Sequence, residues 1–186
     1  IQTRAPGGGS DHEPFLYLLG VPTLSFGFAG PFGVYHSVFD DLRYATTEAD
    51  PGFNTHRTMA QMLALTAYRL TLGPLPYRLS AYTQEMQGTL SQIGRTTALA
   101  PDLAPVSLAI DRFGQRASAY EQSGVDPTVE IEAIHRLNLL FYGRNGYQAL
   151  AFPSLSAAIA TGDAGRIQTE AGNTAASIDY VTAMLR

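Results

Sequence analysis

At 186 residues, with 45% hydrophobic and 15% charged side chains, the chain has the composition of a globular protein with one sizeable core. A formal charge of −4 and twelve cationic residues, all Arg and none clustered, exclude a nucleic-acid surface. The absence of cysteine removes disulfides, Cys-type zinc sites and thiol nucleophiles together.

Ile1 opens without a signal-peptide pattern, inside what reads as a strand, so the chain is expected to be a trimmed piece of a longer one. Ser10 or Asp11 is a good N-cap for a short helix, Glu13 suits its first turn, and Gly20 should end it. Phe15 to Tyr35 carries no charged side chain and is expected to be buried. Gly20, Pro22, Gly27, Gly30, Pro31 and Gly33 break this run, so it is not a membrane span. Val21 to Phe26 reads instead as a strand, and Gly27 to Gly33 as a loop. Helical character begins near Asp40 and is interrupted by the turn signal Asp50-Pro51-Gly52.

From Asn54 the pattern is helical throughout. Met59, Met62, Leu63, Ala67 and Leu70 recur at helical spacing up to the breaker Gly73-Pro74-Leu75-Pro76. A second helix is expected from about Leu79 to Leu99, with Met86, Leu90, Ile93 and Leu99 on one side. A third starts at Asp102 to Pro105, carries Val106, Leu108, Ile110 and Phe113, and ends near Ser123-Gly124. Asp126-Pro127 opens a fourth as an N-cap followed by Pro, with Val129, Ile131, Ile134 and Leu137 as its stripe. Gly143 to Pro153 looks irregular; a short helix and a last one over about Ala164 to Leu185 follow. The fold class is therefore mainly α: an antiparallel helical bundle of the four-helix type, with a small α/β remnant (short helix plus strand) at the N-terminus.

The chemistry-bearing residues are few. His36, beside Tyr35, follows an apolar run, and neutral imidazole is a good zinc ligand, although a single His in such a place is more often structural. His36 and Asp40 are spaced i, i+4, and Asp41, Glu48, Asp50 and His56 follow, but acids before a helix are usually caps. His12 either borders a cleft or packs, and His135 reads as structural. No nucleophile elbow or phosphate loop is present in the sequence.

The ordered pattern Gly-x-x-Asp-x-x-x-Phe ending at Phe15, then Leu19-Gly20-Val21, then Tyr35-His36-Ser37 with acids following, resembles the family of glutamate carboxypeptidase II and the transferrin receptor. The helices, Phe152-Pro153 and the closing Ala-rich helix resemble that family's dimerisation domain. The resemblance runs from about Arg4 to Arg186 and is most specific over 9–41. It implies that residues 1–50 end a zinc peptidase domain and that 51–186 form the dimerisation domain. By the resemblance, His36 is a zinc ligand in a two-zinc parent, Tyr35 stabilises the oxyanion there, and Gly9, Ser10 and Tyr147 line the substrate cleft. Four of the five expected metal ligands and the water-activating Glu have no counterpart here. The chain itself is thus expected to hold no cofactor, to be non-catalytic, and to form a homodimer through its bundle. Its other expected partner is the missing catalytic domain of the same parent chain. A self-contained hydrolase around His36, and a receptor-like module descended from a parent without catalysis, are the competing readings.

Departures from the family pattern carry information. Glutamate-selective members place arginines where Ser25 and Gly27 stand, and a Lys-Tyr pair where Asn145-Gly146-Tyr147 keeps only the Tyr. A site without those cations has little to pair with an acidic side chain, so a broader peptidase is the expected parent. The family also has a longer stretch before the strand matching Leu139 to Tyr142, so residues are expected to be absent between Asn138 and Leu139. Unbroken backbone there would refute that expectation.

Overall fold

A computed structural model describes residues 5–28, 30, 33–73, 76–97, 101–124 and 126–186. Ile1 to Arg4, Pro31, the Pro74-Leu75 core of the breaker and Leu99 lie outside the described residues. The chain divides into two compact units, one of Ile1–Thr23 with Arg78–Arg186 and one of Leu24–Tyr77. This division is by packing, and it does not bear on the 1–50 and 51–186 division by resemblance.

In the larger unit, a π-helical turn at Pro14–Leu18 leads to Gly20, which takes φ +69 as a helix-ending glycine does. The long helices are α3 (Leu79–Thr96), α4 (Ala104–Ser123) and α5 (Pro127–Phe141), followed after a hairpin by α6 (Pro153–Thr161) and α7 (Ala164–Met184). Their starts are chemically marked: Asp126 accepts from the Thr128 N–H and Asp163 from the Arg166 N–H. Helix α3 is capped from a distance, because Glu121 near the end of α4 accepts from both the N–H (2.9 Å) and the hydroxyl (2.7 Å) of Ser80. Helix α4 packs on α3 and on α7, and α7 also packs on α5 and α6. A two-bond guanidinium–carboxylate contact from Arg112 to Asp179, at 3.0 and 2.7 Å, ties α4 to α7 at the surface. The core runs through Met86, Leu90, Val106, Ile110, Phe113, Ile134, Leu137, Phe141, Leu155 and Ile178. The mainly α bundle is therefore what the structure shows.

Several expectations are corrected. Val21 to Phe26 forms no strand: among the described residues the sole pairing is between β1 (Tyr142–Asn145) and β2 (Gln148–Ala151). A lone extended segment has no neighbour to complete its backbone hydrogen bonds, so apolar content alone does not make it a strand. The uncharged run is not buried as a whole either; Leu16 and Gly20 are, whereas Leu18, Leu24, Phe28 and Tyr35 are exposed. The stretch after Gly143 is no irregular loop but an antiparallel hairpin, registered Tyr142 to Ala151 and Asn145 to Gln148, with Gly146 at φ +58 opening its two-residue turn. Leu139 to Phe141 is helix rather than strand. Helix α5 continues unbroken across Asn138–Leu139, and the Tyr142 N–H closes on the Asn138 carbonyl. Leu108 and Ile131 face outward, since the buried stripes run Val106, Ile110, Phe113, Ala117 and Ala133, Ile134, Leu137, Phe141.

The smaller unit holds α1 (Leu42–Tyr44), its π-helical continuation Ala45–Ala49, and α2 (Asn54–Leu72). Helix α2 was expected to bury an apolar stripe, yet it buries none of its residues. Its Met62, Leu63, Leu65, Tyr68, Leu70 and Leu72 are all exposed.

Candidate functional site

Residues 6–17 and the hairpin tip build the more elaborate of the candidate surfaces. The Gly8 N–H donates to the Tyr147 carbonyl at 3.2 Å. A Cβ on Gly7 would stand 1.9 Å from that carbonyl oxygen, and one on Gly9 would stand 2.5 Å from the Tyr147 ring. Gly9 also takes φ +99, so both sterics and backbone call for glycine here. The hairpin tip can lie this close only because residues 7–9 carry no side chains.

Four side chains hold the glycine loop in place. Tyr17 donates its hydroxyl to the Pro6 carbonyl at 2.6 Å, with the Gly7 carbonyl at 3.0 Å. His12 Nε2 lies 2.7 Å from the Gly7 carbonyl, so that nitrogen carries the proton, and the ring meets Tyr17 edge-on. Glu13 accepts from the Gly9 N–H with one oxygen and from Arg144 Nε with the other, at 2.7 Å. Burial, and then the negative charge of Glu13, push the Tyr17 hydroxyl above its ordinary pKa, so it remains a donor. Gly9 and Tyr147, expected on one cleft, are thus brought together, with Ser10 exposed beside them. Glu13, Tyr17 and Arg144 had not been singled out for this role. Asn-Gly is a hairpin-turn dipeptide, so Asn145-Gly146 is the sequence signal that could have placed Arg144 and Tyr147 at a hairpin tip.

A second polar network anchors this segment. Gly20 packs on the backbone of His135, and Asn138, almost fully buried, donates to the Gly20 carbonyl at 2.7 Å while accepting from the Tyr82 hydroxyl at 2.8 Å. Tyr142 donates to Glu85 at 3.0 Å; burial first, and then the Glu85 charge, raise its pKa. These contacts fix positions and carry no evident chemistry.

Tyr35 and His36 lie in the other unit. Their rings stack at 3.8 Å between centroids with 21° between planes, on an exposed turn where His36 takes φ +61. They are presented by that turn, not by a strand. Among the described residues, no three His, Asp or Glu side chains converge as metal ligands, so these residues do not by themselves fit a zinc ion. Two of the acids after His36 are spent locally: Asp41 accepts from the Tyr44 N–H, and buried Asp50 accepts from Thr55 N (3.1 Å), His56 N (2.9 Å) and His56 Nδ1 (2.6 Å).

The backbone N–H and the ring of His56 hold the Asp50 carboxyl well below the usual carboxylate range. A carboxyl with a depressed folded pKa contributes stability that is complete above its unfolded pKa, about 3.9, and is lost as pH falls through the lower folded value. The contribution of Asp50 to the start of α2 should therefore be complete down to about pH 4 and be lost only below it. The amide shifts of Thr55 and His56 against pH check this. In Asp50→Asn those amides should already be displaced at neutral pH.

Comparison with known proteins adds descent to this geometry. The chain is 36% identical over 85 residues to a probable glutamate carboxypeptidase of Arabidopsis thaliana, covering 45% of this chain and 12% of that one. It is 32% identical over 123 residues to a probable glutamate carboxypeptidase of Arthroderma benhamiae, covering 61% and 17%. A second Arabidopsis thaliana probable glutamate carboxypeptidase is 29% identical over 105 residues, covering 56% and 15%. The chain thus spans only a small part of the length of these relatives. No family model and no solved structure matches it. Over these stretches, and in the ordered motifs of residues 9–41, the chain is similar to glutamate carboxypeptidase-like proteins.

Proposed function

We propose that this chain is the assembly portion of a glutamate carboxypeptidase-like zinc metallopeptidase. In this reading it is not catalytic by itself, and self-association through helices is its own activity. The observation that carries the reading is the repeated match to glutamate carboxypeptidases, each over a short part of the relative. The exposed apolar residues of α2 add support, because surface of that kind marks an interaction site. The partners are a second copy, in a two-fold isologous contact, and the catalytic domain of the same parent. In the parent, a two-zinc exopeptidase, His36 would ligate one zinc ion and Tyr35 would stabilise the oxyanion. Zinc there would polarise the scissile carbonyl and activate water. Ser25, Gly27 and the missing Lys before Tyr147 favour a broad specificity over a glutamate-selective one.

Sedimentation equilibrium at tens of micromolar should show a dimer, and a monomer throughout would sink the assembly reading. Calorimetric titration with zinc should show weak binding or none. A tight stoichiometric site would favour the second reading, in which this chain belongs to a catalytically competent centre. The pairing of Gly9 with Tyr147 lends that alternative its support.

A further inference from the structure

The surface formed by Gly7 to Ser10 and Tyr147 has a cation at its edge, and that cation is already engaged. Arg144 stands on β1 just before the turn that presents Tyr147, and its side chain lies against Gly8: a Cβ there would meet Arg144 Cδ at 3.0 Å and Glu13 Oε1 at 3.2 Å. Glu13 pairs with Arg144 Nε at 2.7 Å, and its other oxygen takes the Gly9 N–H. One carboxylate thus neutralises the guanidinium and occupies the N–H of the loop, two groups that an incoming anion would need. Tyr147, 83% exposed, leaves a bare aromatic face beside them.

We infer that Glu13 is a specificity-determining residue: the Glu13–Arg144 pair turns this surface from acidic end groups toward uncharged, apolar or aromatic ones that stack on Tyr147. The inference rests on the reading of Gly9, Ser10 and Tyr147 as substrate-lining. An acidic group would have to displace an ion pair already made, and it would face the Glu13 charge while doing so. A flat neutral group meets neither penalty and gains contact with the ring.

Glu13→Gln tests this directly, since the amide oxygen still accepts from Gly9 while the charge that neutralises Arg144 is gone. The 186-residue chain is titrated with glutarate and with N-acetylphenylalaninamide, following the amides of Gly8, Gly9 and Tyr147 by NMR. The unaltered chain should prefer the neutral probe. Glu13→Gln should bind glutarate about tenfold more tightly, the contribution of a charge-assisted hydrogen bond, with the neutral probe unchanged. Adding Arg144→Gln to it should abolish that gain. Unaltered amide shifts of the helices distant from the loop establish that each variant is folded. The inference is overturned if the neutral probe binds all variants alike and glutarate gains nothing from Glu13→Gln. It is also overturned if the unaltered chain already favours glutarate. Should neither probe move these amides in any variant, the substrate-lining reading itself fails and takes the inference with it.

Discussion

Gly20→Ala should destabilise the larger unit by about 3 kcal/mol or more and lower its Tm by roughly 10 °C. Two costs add. Gly20 holds φ +69, where a Cβ costs about 1–2 kcal/mol. That Cβ would also stand 2.2 Å from the His135 carbonyl oxygen, with the carbon and Cα of the same residue inside 3 Å. The obstacle is helix backbone, which cannot rotate aside as a side chain can, and overpacking of this kind costs about 1–3 kcal/mol. Retreat of the Gly20 segment would relieve the clash but break the 2.7 Å bond from Asn138, leaving a buried amide short of a partner. Gly88→Ala makes the control: Gly88 lies exposed in α3 with nothing within 4 Å of a Cβ, and its replacement should stabilise by about 0.5–1 kcal/mol. Thermal unfolding of the two variants should therefore move in opposite directions. Equal shifts would mean that the N-terminal segment does not rest on α5.

How much of this was legible in the sequence depends on how local the cause was. Helices α4 and α5 could be placed because their ends carry their own chemistry: Gly124 beyond one end and Asp126 before Pro127. The apolar run from Phe15 to Tyr35 was misread because hydrophobicity states a preference for burial without saying what provides it. Leu16 finds a place in the core and Leu18 does not, although they are neighbours of the same kind. Helix α2 shows the same limit, with helical spacing correctly read and its burial absent. The hairpin was missed, its stretch being read as irregular, whereas Gly9 with Tyr147 was expected on one surface through the family pattern. What no local signal carried was the means of holding them: Glu13 reads as an ordinary acid in a first helical turn until Arg144, far along the chain, is placed beside it.

Phe113→Ala is the other large effect, at about 3–5 kcal/mol, with a fall in Tm of roughly 10–20 °C. Phe113 has no exposed surface, and it lies midway along α4, the helix that packs on both α3 and α7. Truncation loses the transfer free energy of a buried aromatic ring and leaves a cavity whose walls belong to helices that cannot all close in at once. Leu108 is a neighbour in the same sequence stripe but 57% exposed, so Leu108→Ala should stay within about 0.5 kcal/mol. Sequence periodicity placed both residues together; the packing separates them by roughly an order of magnitude in cost. Urea unfolding of the two variants decides the matter, with the midpoint falling sharply for Phe113→Ala and hardly at all for Leu108→Ala. Comparable losses from both would mean that α4 turns a different face toward α3 and α7. The stripe of Val106, Ile110, Phe113 and Ala117 would then not be the centre of the bundle that supports the hairpin and the glycine loop.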